Sequence, residues 1–124
     1  MSFSQDLEQH QYCYLTTTGR VTGRPHRIEI WFAIIDGRLF LNSGGGDRSD
    51  WVKNLMANPA VTVEIGDQQW EAKARVRPEE VEHPAREHLA ARYQGWSPGK
   101  QLSDWASGSL LVEITAKKMG AEHG

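Results

Sequence analysis

Arg20, Arg24, His26 and Arg27 put four basic groups into eight residues, and Gly19, Gly23 and Pro25 punctuate the same stretch. The planar fork of arginine matches the oxygens of a phosphate or carboxylate, and glycines let backbone N–H groups approach the same anion. The chemistry this predicts is recognition of an anionic ligand. The competing reading is a hairpin flanked by solvated charges. The formal net charge is only −2, so the concentration is local and not a by-product of a basic chain.

Two further stretches extend the candidate site. Asn42-Ser43-Gly44-Gly45-Gly46 leads toward a helix start at Ser49 and Asp50, and a glycine loop feeding a helix N-terminus can cradle an anion or a ring edge. No Gly-Lys-Ser/Thr ends it, so it is not a P-loop, and on its own it is equally a simple loop. In Trp51-Val52-Lys53-Asn54-Leu55, helical spacing puts Trp51 and Leu55 on a packing face and leaves Lys53 and Asn54 for a ligand or for solvent.

Other chemistries are disfavoured. His83 and His88, five apart, point to different helix faces and give no metal spacing. Cys13 lies mid-strand without a partner motif and reads as a small buried hydrophobe. Glu79, Glu80 and Glu82 suit a helix N-terminus better than an acid/base pair. With no Gly-x-Ser-x-Gly and no evident base, an enzymatic role would lean on a bound cofactor.

The elements that must position these groups are mostly strands. Tyr12–Thr18 is β-branched and aromatic; His26–Ile35 reads as one strand with Ile28, Ile30, Phe32 and Ile34 on one face. Asp36-Gly37 signals a two-residue hairpin into Arg38–Ser43. Val61, Val63 and Ile65, then Trp70, Ala72, Ala74 and Val76, alternate inward around a tight turn at Gly66, with Glu71, Lys73, Arg75 and Arg77 outside. Pro78–Tyr93 is helical, with Pro84 either opening or kinking it; 95–108 is irregular; Ser109–Thr115 is the last strand. Residues 1–11 read as a polar arm. Six short strands with two helical insertions favour a small antiparallel barrel.

Size and composition agree. A chain of 124 residues supports one domain, 39% hydrophobic and 24% charged residues make it globular, and five Trp suit a small core or a flat-ligand pocket. A pI of about 6.2 argues against a nucleic-acid binder. A lone cysteine excludes an intrachain disulfide and suits a reducing cytoplasm. The polar N-terminus offers neither signal peptide nor membrane span.

Leu15-Thr16-Thr17-Thr18-Gly19-Arg20-Val21-Thr22-Gly23-Arg24-Pro25, then Trp31, the glycine loop and Trp51 through Asn58-Pro59, resemble the deazaflavin-dependent nitroreductase family. The resemblance is good over residues 12–66 and looser beyond. It implies a six-stranded split β-barrel related to pyridoxamine phosphate oxidases, binding coenzyme F-420 through its ring, phosphate and oligoglutamate tail. By position, Arg20, Thr22, Gly23 and Arg24 would meet the tail, while Arg27, Ile28 and Ile30 flank phosphate and ring. Asn42, Ser43, Gly44 and Gly45 would lie along the ring edge, and Trp51, Lys53, Asn54 and Leu55 would close the phosphate side. Tyr93 falls where relatives place a tyrosine near the reacting face, with simple packing the alternative.

The chain departs from the family at Ile28-Glu29-Ile30, at Val52-Lys53 in place of an aromatic-His pair, and in lacking an amphipathic leader. The resemblance therefore implies a reductase carrying hydride from reduced F-420 to a small unsaturated, quinone-like or nitroaromatic substrate. An FMN-binding flavoprotein and a non-catalytic carrier are the alternatives. A homodimer is compatible with such a barrel.

Overall fold

Alternation decides the strands. In the computed structural model, which describes residues 2–78 and 83–119, Cys13–Thr18 (β1) buries Cys13, Leu15 and Thr17 and turns Tyr14, Thr16 and Thr18 outward. That is the period-two pattern of a sheet with one face on a core. Ala60–Ile65 (β5) buries Val61, Val63 and Ile65, and Gln68–Val76 (β6) buries Trp70, Ala72 and Ala74, as their spacing predicts.

The region from His26 to Ile35 departs from expectation. It is not one strand. Pro25–Ile30 (β2) pairs with β1, whereas Ala33–Ile35 (β3) pairs with Arg38–Ser43 (β4). All pairs are antiparallel, in the order β2-β1-β5-β6-β7-β4-β3, where β7 is Leu110–Met119. The two halves of the expected strand are therefore the two edges of the sheet, and only Trp31 and Phe32 carry the chain between them. A sheet whose outermost strands are joined by two residues must curl until its edges face each other, giving seven strands in a split barrel rather than six. The side chains still point as the alternation requires: Phe32 and Ile34 are buried in the same core that Ile28 and Ile30 pack against.

Local turn chemistry behaves as the residues dictate. Asp36 at φ 52° and Gly37 at φ 79° form the two-residue link between β3 and β4. The last strand runs past Thr115 to Met119, and its stretch 111–114 is buried on both faces. Val112 and Ile114 face the barrel; Leu111 joins Phe40 and Ala85 in a second, smaller cluster.

Three helices cover the sheet: Asp50–Ala57 (α1), Pro84–Tyr93 (α2) and Asp104–Gly108 (α3). Pro84 opens α2 at its first turn, and His83 Nδ1 caps it by accepting from the Ala85 N–H at 3.0 Å. The helix start expected at Glu79, Glu80 and Glu82 lies outside the described residues. The stretch expected to be irregular contains α3, with Ser103 as its N-cap. The polar arm is also corrected. Phe3 and Leu7 are buried, and Phe3 packs on Trp70 with ring centroids 5.3 Å apart. Each such burial contributes about 1.5–3 kcal/mol, which ties the N-terminus to the core.

Candidate functional site

The loop between β1 and β2 is closed by its own backbone. The Gly19 N–H donates to Arg24 O at 2.8 Å, and the Gly23 N–H donates to Gly19 O at 2.9 Å, with Gly23 at φ 75°. A side chain on Gly19 would place Cβ 2.7 Å from His26 Nε2, so only glycine lets this loop lie on His26. Arg20 reaches back from the loop to α1. Its Nη1 donates to Asn54 Oδ1 at 2.8 Å, its backbone N–H to the same oxygen at 3.2 Å, and its Nη2 meets Asp50 at 3.2 Å. Asn54, 3% exposed, donates in turn to Thr17 Oγ1 at 3.3 Å. Arg20, Thr22, His26, Asp50 and Asn54 line a cavity of about 230 Å³.

The basic residues do not all converge here. Arg20, Thr22 and Asn54 come together around the cavity. Arg24 and Lys53 are exposed and do not line this cavity. Arg27 points away from this cavity: His26 lines it, so its neighbour in an extended strand faces the opposite side. There its guanidinium lies over the Tyr14 ring at 3.9 Å and pairs with Glu64 at 3.1 Å, and that hydrogen bond raises its pKa further. Leu55, expected to close the phosphate side, is 2% exposed and belongs to the core. Ile28, Ile30 and Trp51 are half-buried against that core.

The glycine loop is organised by serines. Ser43 Oγ donates to Gly46 O at 2.8 Å and lies 2.9 Å from Ser49 Oγ. Ser49 occupies the N-cap position of α1 but makes no side-chain cap, because its hydroxyl is spent on this loop. A Cβ on Gly45 would meet that hydroxyl at 2.5 Å, and one on Gly44 would touch the Trp105 ring at 3.4 Å.

Beyond Gly44 an aromatic corner begins. Trp31 stacks on Tyr93, centroids 4.5 Å apart and planes within 4°, and meets Trp105 edge-on at 5.5 Å. Tyr12, Glu29, Ile30, Trp31, Asn42 and Trp105 surround a cavity of about 240 Å³. Asn42 is 5% exposed, and neither Nδ2 nor Oδ1 has a partner. An unmade hydrogen bond at a buried polar atom costs about 1–3 kcal/mol, a cost that a partner for this carboxamide would recover. Sequence reasoning missed Trp105. The available signal was Ser103 ahead of Asp104 and Trp105, a capped helix start inside a stretch read as irregular.

Tyr93 does not present its hydroxyl to this cavity. The oxygen accepts from the Phe32 N–H at 3.1 Å and from Arg92 Nη2 at 2.7 Å, and its proton lies between Gln11 O at 3.0 Å and Phe32 O at 3.1 Å. A phenol has one hydrogen to give, and backbone takes it. Where a catalytic role was expected from the resemblance, the hydroxyl's hydrogen bonds go to backbone and Arg92. Arg92 also donates to Phe32 O, Glu8 O and His10 O at 2.7–3.2 Å. Glu8 accepts the Ile34 N–H at 2.6 Å and meets His88 Nε2 at 2.7 Å. The N-terminal segment, α2 and the edge crossover thus form one hydrogen-bonded wall behind Trp31.

Along β2 the two cavities are spaced by the strand itself. His26 lines the basic one and Ile30 the aromatic one, four residues or roughly 13 Å apart at about 3.3 Å per residue. The described residues contain no cluster of three metal-ligating side chains. Nor do they contain a helix long and apolar enough to cross a membrane. Burial pushes the Cys13 thiol up to about 12, which removes it as a nucleophile.

The family model for F420H(2)-dependent quinone reductase matches residues 2–117. A conserved hypothetical protein of Mycobacterium tuberculosis superposes with a TM-score of 0.75 at 26% identity, over 91% of this chain and 77% of that one. A protein titled F420 reductase superposes at 0.66 and 20% identity, over 97% of each chain. A putative pyridoxamine 5'-phosphate oxidase of Listeria innocua superposes at 0.64 and 22% identity, over 92% of this chain and 90% of that one. The last two, below 25% identity, speak for the split-barrel fold alone.

Proposed function

The chain belongs to the F420H(2)-dependent quinone reductase family, and from that premise we propose that it passes a hydride from reduced coenzyme F-420 to a small quinone-like, unsaturated or nitroaromatic acceptor. The observation that carries this reading is the pairing of a basic cavity and an aromatic one along a single edge strand. A polyanionic tail asks for the basic cavity, a small acceptor ring for the aromatic one, and the cofactor's flat ring would lie on the strand between them.

The residues present fit such a group. Arg20 is held by an exposed carboxylate, Asp50, whose side chain is 86% exposed. Exposed pairs of this kind are worth roughly 0–1 kcal/mol, so a tail carboxylate exchanges for Asp50 at little cost. Ile28, Ile30 and Trp51 offer half-buried apolar surface to a ring between the two cavities. When bound, the reduced cofactor supplies the hydride, two electrons and one proton nucleus; a quinone takes a second proton from water to become the hydroquinone. The protein's own part is to orient and to exclude. The wall behind Trp31 fixes one side of the reacting space, and correct placement of two reactants lowers a barrier without any acid or base.

The test is a fluorescence titration of the protein with F-420 and with FMN side by side, followed by menadione added to the protein carrying reduced F-420. Tighter binding of F-420 with rapid menadione-dependent oxidation is the expected result. Preference for FMN would replace the cofactor assignment, and binding without oxidation would make the protein a carrier.

A further inference from the structure

We propose that the cavity lined by Ile30, Trp31, Asn42 and Trp105 seats the acceptor ring, with Asn42 as its hydrogen-bonding anchor and Glu29 as a charge filter at its rim. The ligand class is a neutral or cationic one- or two-ring compound carrying a polar atom on its edge, and acidic rings are turned away. The inference rests on the reductase reading for the word acceptor, but its geometry is independent of the cofactor.

Three observations converge. First, the walls are flat and fixed: Trp31 is clamped between Tyr93 at 4.5 Å and Trp105 at 5.5 Å, so the corner is preformed. At about 240 Å³ the space lies below the range for drug-sized ligands and suits a small ring.

Second, Asn42 is more than nine-tenths buried, and its donor and acceptor are both unpartnered. A nitro or carbonyl edge accepts from its Nδ2, and an amide edge also donates to its Oδ1. Phe40, two residues earlier on the same face of β4, packs in the second cluster, so Asn42 is the point where that apolar surface turns polar.

Third, Glu29 lines the same cavity and receives a neutral phenol, the Tyr14 hydroxyl at 2.9 Å. Arg27, two residues before it on the same strand face, directs its fork to Glu64. Glu29 is exposed on the strand face it shares with Arg27, so its charge acts on an entering ligand from the rim of the cavity. At a few ångströms and surface dielectric a like charge costs an entering anion about 5-fold or more in affinity.

The experiment uses the full chain without cofactor and follows quenching of tryptophan fluorescence by menadione and by 1,4-naphthoquinone-2-sulfonate. The wild-type protein is expected to bind menadione at least about 5-fold more tightly. Glu29→Gln should bring the two affinities together by strengthening the sulfonate alone. Asn42→Ser should weaken both while circular dichroism stays unchanged. An affinity ratio unmoved by Glu29→Gln, or no quenching by either quinone, overturns the proposal. Because no cofactor is present, a protein that sorts quinones by charge but binds no F-420 would sink the reductase reading and leave this one intact.

Discussion

Trp31 lies flat on Tyr93, planes within 4°, at the two-residue passage where the chain leaves one edge of the sheet and enters the other. Tyr93 uses its hydroxyl to hold both the N–H and the carbonyl of Phe32, so the stack and the crossover are fastened by one side chain. This makes Tyr93→Phe an informative change. It should lower stability by about 1–3 kcal/mol, through the Phe32 N–H left unpaired, and leave kcat within a few-fold of wild type. Urea unfolding and steady-state kinetics separate this from a proton-donating tyrosine, for which kcat would collapse at unchanged stability.

Arg20 and Arg27 lie on opposite faces, which predicts opposite phenotypes. Arg20→Ala should weaken F-420 binding by about 5–150-fold, equivalent to roughly 1–3 kcal/mol for a charge-assisted hydrogen bond. Arg27→Ala removes an exposed pair with Glu64 and should change affinity by less than about 2-fold. Isothermal titration of both variants checks the assignment; equal losses would put the tail elsewhere.

Gly19 is required by close approach. Gly19→Ala would set Cβ 2.7 Å from His26 Nε2 and 3.0 Å from Arg24 O. His26 is the end of an exposed side chain and can swing, so the expected result is partial filling of the basic cavity with weaker F-420 binding and a modest loss of Tm. Combining it with His26→Ala should recover most of the affinity, measured by the same titration.

Cys13 makes a prediction in the alkaline range. Burial raises its pKa from about 9 to about 12, so the folded chain favours the neutral thiol. This contribution is fully present below the unfolded thiol's pKa and is lost as pH climbs through the window from about 9 to 12. Cys13→Ala should flatten the fall of unfolding free energy with pH in that window. In the native wild-type protein, Ellman's reagent at neutral pH should find no reactive thiol until denaturant is added.

What the residues determine by themselves is what near neighbours can decide. Alternation along β5 and β6 set which side chains are buried, and Asp36-Gly37 set a two-residue turn. The passage at Trp31 and Phe32 was not legible, because the apolar period of a strand runs on undisturbed while its hydrogen-bonding partner changes from β1 to β4. Nor could the sequence show that Arg20 meets Asn54 while Arg27 meets Glu64. Those pairs are 34 and 37 residues apart, and which carboxylate or amide stands opposite each guanidinium is fixed only by the curl of the sheet. Trp105 reaches the cavity for the same reason: a five-residue helix has too few positions to show a period, and only tertiary packing brings it against Trp31 and Gly44.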